Sequence, residues 1–437
     1  MSKMLFADLL VEKDGLIKGP FGGDIKKSLF VPKGNDTLKV YEQGVVLKND
    51  INYGSYYISK KHFDSKLQRF EVKTGDLLMT GAGTLGEIIT VPENAPKGVI
   101  NQALLRIRLN QNVISTTFFK YYFKYYIKAI ISKINGDSVI PNLPPLPLIR
   151  NTEVDIPKTS YQKKIASVLS ALDSKIELNN RINAELEAIA KTLYDYWFVQ
   201  FDFPFDFAQG KPDENGKPYK TSCGKMVWNE EMKREIPEGW EVGTIGNYCK
   251  SSGGYAFKSS WWAQTGLKVV KIKDIQEDNT INLSDLSCAN VSRDEIGEKF
   301  LAKPGNILIA MTGATVGKFG IVPKTEEPLY VNQRVGFFNL GKDPTIKLPF
   351  LINSLNQSYF REAIFTLASG AAQPNISNEQ INNIQLIFPE KTLIEEFNYK
   401  FNAVYNKLLS NRYQNQKLTE LRDWLLPMLM NGQVKVN

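Results

Sequence analysis

Apolar residues recur along Ile165 to Trp197 at alternating steps of four and three: Ile165, Leu169, Leu172, Ile176, Asn179, Asn183, Leu186, Ala190, Leu193 and Trp197. That spacing is the seam of a coiled-coil helix, interrupted by two asparagines. The pattern returns 232 residues later as Phe397, Phe401, Val404, Leu408, Asn411, Asn415, Leu418, Arg422, Leu425 and Leu429, with its asparagines at the same places. Pro427 stands where it is expected to end the second helix.

Asparagine in a seam lowers stability and is kept where it fixes register. One antiparallel register satisfies both pairs: Ile165 against Leu429, Leu169 against Leu425, and so on to Trp197 against Phe397, so that Asn179 meets Asn415 and Asn183 meets Asn411. Its centre is a pseudo-twofold axis. Helices of this length, at about 1.5 Å per residue, make a rod of roughly 50 Å.

Each helix is preceded by a segment of short β-branched runs bounded by Gly and Pro, the mark of a β-rich domain. In the first, GDLLMTGAGTLGEIITVP (Gly75 to Pro92) precedes VINQALLRIRL (Val99 to Leu109); in the second, GNILIAMTGATVGKFGIVP (Gly305 to Pro323) precedes YVNQRVGFFNL (Tyr330 to Leu340). A helical stretch follows in each, TTFFKYYFKYYIKAIISKI and LPFLINSLNQSYFREAIFTLAS. Then comes a loop from Gly to Pro-Asn, GDSVIPNL (Gly136 to Leu143) or GAAQPNIS (Gly370 to Ser377), and a strand ending at Ile156-Pro157 or Phe388-Pro389. The pattern predicts an α+β chain: two β-rich domains, residues 1–157 and 236–389, separated by a two-helix antiparallel coiled coil built from 158–200 and 390–437, as a pseudo-twofold internal repeat. The connector, 201–235, opens on FDFPFDF, whose alternation suits either an edge strand added to a neighbouring sheet or a linker whose aromatics pack on the rod.

The formal charge is +8, of which about +6 falls in residues 1–157 while residues 238–389 are about neutral. A basic excess favours a polyanionic partner such as nucleic acid. Cys223, Cys249 and Cys288 are too few and scattered for a disulfide frame or zinc site, and His62, the only histidine, has no ligand-spaced neighbour. No apolar run approaches the roughly 18 residues of a membrane span, and no cleavable leader is evident; the expectation is a soluble, cytoplasmic protein.

Catalytic strings dissolve on comparison of the repeats. Gly81, Gly83 and Gly86 fit a dinucleotide fingerprint, but strand-like EIITVP follows where a helix should open, and the second copy has Thr312 at the first glycine. Gly313 to Lys318 resembles a phosphate-binding loop one residue short and lacking the Ser or Thr after the lysine. Both read better as the same turn between strands. With no nuclease-like acidic cluster and no Asn/Asp-Pro-Pro-aromatic string, the chain reads as a recognition or assembly protein.

QKKIASVLSALDSKIELNN (Gln162 to Asn180), LTELRDWLLPMLMNGQV (Leu418 to Val434), IPEGWEV (Ile236 to Val242), SGGYAFKSS (Ser252 to Ser260) and GAAQPNIS together resemble specificity subunits of type I restriction–modification enzymes. The resemblance covers essentially the whole chain. One departure is that the first half lacks the Ile-Pro-x-Gly-Trp lead-in, so its first strand is expected to be differently anchored. The resemblance implies a non-catalytic, sequence-specific DNA-recognition subunit whose two domains each read half of an asymmetric bipartite site in double-stranded DNA, with the helix pair setting the unread spacer. Two methylation subunits carrying S-adenosylmethionine would dock on it, and restriction subunits would supply ATP- and Mg-dependent translocation and cleavage; this chain itself would bind no cofactor or metal. Two other readings are a coiled-coil scaffold or regulator whose end domains bind protein, and an autonomous DNA methyltransferase.

By position in these motifs, the candidate DNA contacts are the early loops, Gly19, Phe21, Gly22, Lys26, Lys27 and Ser28 in the first domain and Gly254, Phe257, Lys258, Ser259 and Ser260 in the second. Glycines there would let backbone approach phosphate, or the loops are ordinary turns. Further candidates are the strand turns, Thr80, Gly81, Thr312 and Gly313, and the amide-bearing pairs Asn101, Gln102, Asn332 and Gln333 with Arg334, which suit base edges or else tie local turns. Lys120, Lys124 and Lys128 form a stripe at helical spacing, which is either a phosphate-facing ridge or a solvated helix face.

Overall fold

The computed structural model describes residues 2–21, 23–81, 85–135, 144–368 and 374–436, with the backbone alone for 128–135. Gly22 and the side chain of Lys128 therefore lie outside the described residues, as do all of GDSVIPNL and the first four residues of GAAQPNIS. The chain forms two compact units, residues 1–174 with 418–437, and residues 175–417. Each unit holds one β-rich domain and part of both long helices.

In the first unit, strands Leu16–Lys18, Leu104–Ile107, Leu77–Thr80 and Ile88–Thr90 make an antiparallel sheet in that order. The central strand is buried along its whole length because both faces are covered. Leu77 and Met79 enter one core with the helix Thr116–Asn135, whereas Leu78 faces another with Ile17, Ile89 and Leu104. A second sheet runs Tyr57–Ser59, Thr37–Tyr41, Gly98–Ile100, Glu71–Val72, and its central pair is parallel.

The second unit repeats this plan. Ser251–Gly253, Val335–Phe338, Ile307–Ala310 and Phe319–Ile321 form the antiparallel sheet, with Ile307 and Ile309 in one core and Leu308 and Ala310 in another. The mixed sheet again has one parallel pair, Leu267–Val270 with Leu329–Val331. One expected helix is broken here into Leu348–Leu355 and Ser358–Ala368. At the break, Asn353 and Ser354 turn their side chains back onto the carbonyls of Pro349 and Phe350, both at 2.8 Å.

A shared turn leads into each central strand. Gly75 and Gly305 take positive φ (83° and 86°), and the next residue, Asp76 or Asn306, accepts the N–H of Lys73 or Lys303 at 2.8 Å in both. The copies then diverge. Asp76 also receives both forks of Arg108 at 2.7 Å and lies 3.9 Å from Arg106, which donates to the carbonyls of Asp14 and Arg69 at 3.0 Å and to that of Glu71. Burial pushes the Arg106 guanidinium below its ordinary pKa. At the matching places the second domain has Phe337, Asn339 and Asn306.

The absent lead-in does not change how the first domain is anchored. Ser2–Leu5 pairs antiparallel with Glu153–Ile156, just as Glu241–Thr244 pairs with Gln385–Phe388. The reason is that the anchoring partner comes from the strand before each long helix, which both halves possess. The lead-in bridges two strands: Ile236 and Pro237 end a hairpin, Met226–Asn229 with Arg234–Pro237, and Glu241 and Val242 open the anchoring strand. The rest of the connector is ordered too: Pro204–Asp206 pairs with Lys211–Pro212 and Lys217–Pro218, not with a neighbouring sheet, and Phe203 stacks on Tyr219 at 4.8 Å.

The long helices are Thr159–Tyr194, extended by a π-helical turn Asp195–Val199, and Lys391–Met430. Pro427 does not stop the second; the helix passes through it for one more turn, with Leu429 and Met430 buried in the first domain's core beside Ile165 and Leu169. Burial of that last turn outweighs the hydrogen bond proline lacks. In the first unit, Arg422 donates to Asp173 at 2.8 Å, and Asp173 also accepts from Tyr121 at 2.5 Å. In the second, Asn179 donates to Asn415 and to Gln414, both at 2.8 Å, and Asn411 donates to Asn183 at 2.8 Å. Arg412 reaches Glu187 at 2.8 Å, and Trp197 meets Phe397 edge-on at 5.9 Å. These contacts match the antiparallel register that the repeated seam predicts.

Replacing Asn179 and Asn415 together by Leu is expected to raise the calorimetric Tm, because Gln414 and Asn180 are exposed and water satisfies them. Asn183→Leu alone should lower the Tm, at a cost of about 1–3 kcal/mol of stability, because the amide of Asn411, 2% exposed, loses its partner. Asp76→Ala strands two guanidinium groups, one of them fully enclosed, and is expected to cost about 3–5 kcal/mol by denaturant unfolding.

Candidate nucleic-acid interface

Three of the candidate segments converge in each domain. In the first, the Gly19 N–H donates to the Leu104 carbonyl and the Gly81 N–H to the Ala103 carbonyl, both at 2.9 Å, which joins the early loop, the Asn101–Gln102 turn and the hairpin turn. In the second, Tyr255 N–H binds Val331 O at 2.8 Å, Gln333 N–H binds Tyr255 O at 2.9 Å, and Met311 N–H binds Arg334 O at 3.1 Å. The described part of the Gly-to-Pro-Asn loop joins this edge, since Gly313 N–H donates to Pro374 O at 2.9 Å.

The glycines are explained by this convergence and not by an open approach to phosphate. A Cβ on Gly19 would sit 1.8 Å from the Asn101 carbonyl oxygen, and one on Gly254 would sit 2.3 Å from that of Val331. The asparagines likewise serve the fold: Asn101 accepts the Ala103 N–H at 3.1 Å and Asn332 that of Arg334 at 3.3 Å. Thr80 is buried and accepts the Glu87 N–H at 3.1 Å; Gly81 is buried as well. Thr312 and Gly313 are half-buried within their turn. Phe257 is packed between Tyr255 and Trp262, with ring centroids 5.2 and 5.4 Å away.

What these supports present outward is a shorter set. Phe21, Lys26, Lys27, Ser28 and Gln102 are exposed in the first domain, and Lys258, Ser259, Ser260, Gln333 and Arg334 in the second. Backbone fixed behind exposed amides, hydroxyls and cations is the arrangement that phosphate positioning and base-edge readout require. Lys258 lies over the Trp261 ring at 4.6 Å and 3.8 Å from Glu295.

Lys120 and Lys124 of the helical stripe do not belong to that set. Lys120 donates to Thr90 at 3.3 Å and burial lowers its pKa, while Lys124 pairs with Glu87 at 3.4 Å. These two hold the helix onto the hairpin. The corresponding turn of the second domain reverses the signs, with Lys318 paired to Glu277 at 3.1 Å. Lys39 is also internal, donating to the carbonyls of Asn52 and Gly54 at 3.0 Å with its pKa lowered by burial. Part of the first domain's basic excess is therefore structural and unavailable to a polyanion. His62 also serves the fold: its Nε2 is 2.7 Å from the Asp24 carbonyl and braces the early loop.

Motif reading overlooked a cluster beside the second early loop. Trp262 carries Lys271 over its ring at 3.4 Å, and Phe300 carries Lys299 at 4.8 Å. The paired tryptophans that follow Ser259-Ser260 were the available signal. A cleft of about 540 Å³ opens next to the turn Gly313–Lys318, lined also by Gln276, Arg361 and Ile364. Among the described residues, no group of three or more His, Cys, Asp and Glu is arranged to hold a metal ion, and no helix is long and apolar enough to cross a membrane.

Comparison with known proteins agrees with this architecture. The family described as "Type I restriction modification DNA specificity domain" matches twice, over residues 23–188 and 237–416. The type I restriction enzyme HindI specificity subunit of Haemophilus influenzae is 26% identical, with 83% of this chain and 87% of that protein aligned. The MjaIX specificity subunit of Methanocaldococcus jannaschii is 24% identical over 89% and 86%. In fold, the S subunit of the type I restriction–modification system from M. genitalium superposes with a TM-score of 0.54 over 98% of this chain and 95% of that one, at 16% identity. A duplicated match spanning most of the sequence, on a duplicated fold, settles the assignment: this chain belongs to the type I restriction–modification DNA specificity family.

Proposed function

We propose that this chain is the sequence-specific DNA-recognition subunit of a type I restriction–modification complex, each domain reading one half of an asymmetric bipartite site in double-stranded DNA. The observation that carries the reading is the duplicated edge on which early loop, Asn-Gln turn and hairpin turn meet. Half-site readers sit multiples of roughly 34 Å apart on duplex DNA. The antiparallel helix pair is the ruler in this reading and also the dock for two methylation subunits, which bring S-adenosylmethionine. Restriction subunits, with ATP and Mg, complete the assembly in the cytoplasm. The chain itself is non-catalytic: it positions the target and leaves base chemistry to its partners.

The seam supports the ruler assignment because its amide pairs permit one register, and a single register means a single length. Lengthening both helices by one heptad, at symmetric points, adds about 10 Å. The unread spacer, read by sequencing methylated host DNA, is expected to grow by roughly three base pairs at 3.4 Å each; an unchanged spacer would show that the helices do not set it. Exchanging residues 1–157 for the matching domain of another family member should alter one half of the methylated sequence and leave the other intact. Alteration of both halves would defeat the assignment of one half to each domain.

A further inference from the structure

Within this DNA-recognition reading, we propose that Phe21 is an apolar wedge that enters a groove of the duplex at the first domain's half-site and unstacks a base step, while the second domain reads its half-site without a wedge. At 91% exposure, Phe21 is the most exposed large hydrophobic side chain among the described residues. It stands on a braced support. Behind it, Gly19 is locked against the Asn101 carbonyl and Pro20 is buried. Ahead of it, the Phe21 carbonyl accepts the Asp24 N–H at 3.0 Å, and Asp24 is held through its own carbonyl by His62 at 2.7 Å. A ring carried on backbone braced in this way needs little backbone ordering on insertion.

The surroundings select the partner. Exposed neighbours along the chain are Lys18, Gly23, Lys26, Lys27 and Ser28, and Gln102 is on the adjoining turn. One ring among cations and amides is too small an apolar patch for a protein interface, which needs on the order of 800 Å² from each partner and an apolar centre. It has the composition of a DNA wedge: an apolar side chain that pries a step open, with cations on the flanking phosphates. At the matching place, two residues after Gly254, the second domain has Ala256, and the aromatic that follows it is turned inward. Phe257 is 9% exposed and held by Tyr255 and Trp262, so that loop offers Lys258, Ser259 and Ser260 without a projecting ring.

The test uses the full chain assembled with its methylation subunits and a duplex bearing the methylated sequence found in host DNA. 2-Aminopurine is placed at successive steps of the half-site assigned to the first domain by domain exchange, and then of the other half-site, leaving out in each the methylated base and its immediate neighbours because a methyltransferase extrudes its target base. The expected result is a several-fold rise in fluorescence at one step of the first half-site and none in the second. Phe21→Ala should abolish that rise and weaken binding roughly tenfold, with unchanged Tm and subunit assembly, and Phe21→Leu should retain much of both effects. Binding with no fluorescence rise in the first half-site, or an equal rise in both, overturns the wedge and leaves DNA recognition standing. Loss of subunit assembly in Phe21→Ala overturns it in favour of a protein contact. Failure of the unmodified complex to retain duplex at low salt overturns the DNA-recognition reading itself.

Discussion

The antiparallel pairing of seam asparagines is the constraint on which the architecture rests. A purely apolar seam allows slippage by a heptad, since one leucine layer resembles another. Two amide layers remove that freedom, because any shifted register buries Asn411 or Asn183 against a hydrocarbon neighbour at a cost of about 1–3 kcal/mol for each unpaired amide. Charged contacts extend the same logic along the helices, Asp173 with Arg422 in one unit and Glu187 with Arg412 in the other. Stability is given up for uniqueness, a reasonable exchange if the length of the pair carries information.

The two domains share a scaffold and differ in what the scaffold is made of. Alternate residues of each central strand face separate cores, Leu77 and Leu78 in one copy, Ile307 and Leu308 in the other. This two-sided burial is why the strands read as unbroken apolar runs. Around it, the first domain uses an ionic knot of Asp76, Arg106 and Arg108 where the second uses Phe337 and neutral amides. The outward residues differ as well: an exposed ring in one early loop, and a lysine stacked on tryptophan in the other.

Much of the fold was legible because it rests on periodic signals that occur twice. Seam spacing located both helices and their register, and glycine-bounded β-branched runs located the strands that pair in the sheets. The passage through Pro427 was not legible, because it depends on burial of Leu429 and Met430 against residues far away in sequence. Nor was the break after Leu355, where buried Asn353 and Ser354 compete for helix carbonyls. The candidate site was half legible. Motif position found the segments that converge, but a single letter does not say whether a polar group faces water or its own backbone. Thus Asn101, Thr80 and Lys120 proved to be internal fasteners, while Gln102 and Lys27 stayed exposed.

The ionic knot has a consequence for how such chains diversify. Its members, Asp14, Glu71, Asp76, Arg106 and Arg108, are drawn from four separated stretches of the first domain. A joint that set a neutral residue, such as the second domain's Asn306, opposite Arg106 and Arg108 would bury a charge without its counter-ion. A crossover in either long helix inherits the knot whole. Exchanges that keep residues 14–108 together keep this buried network intact, whereas a joint between the two sheets of the first domain divides it.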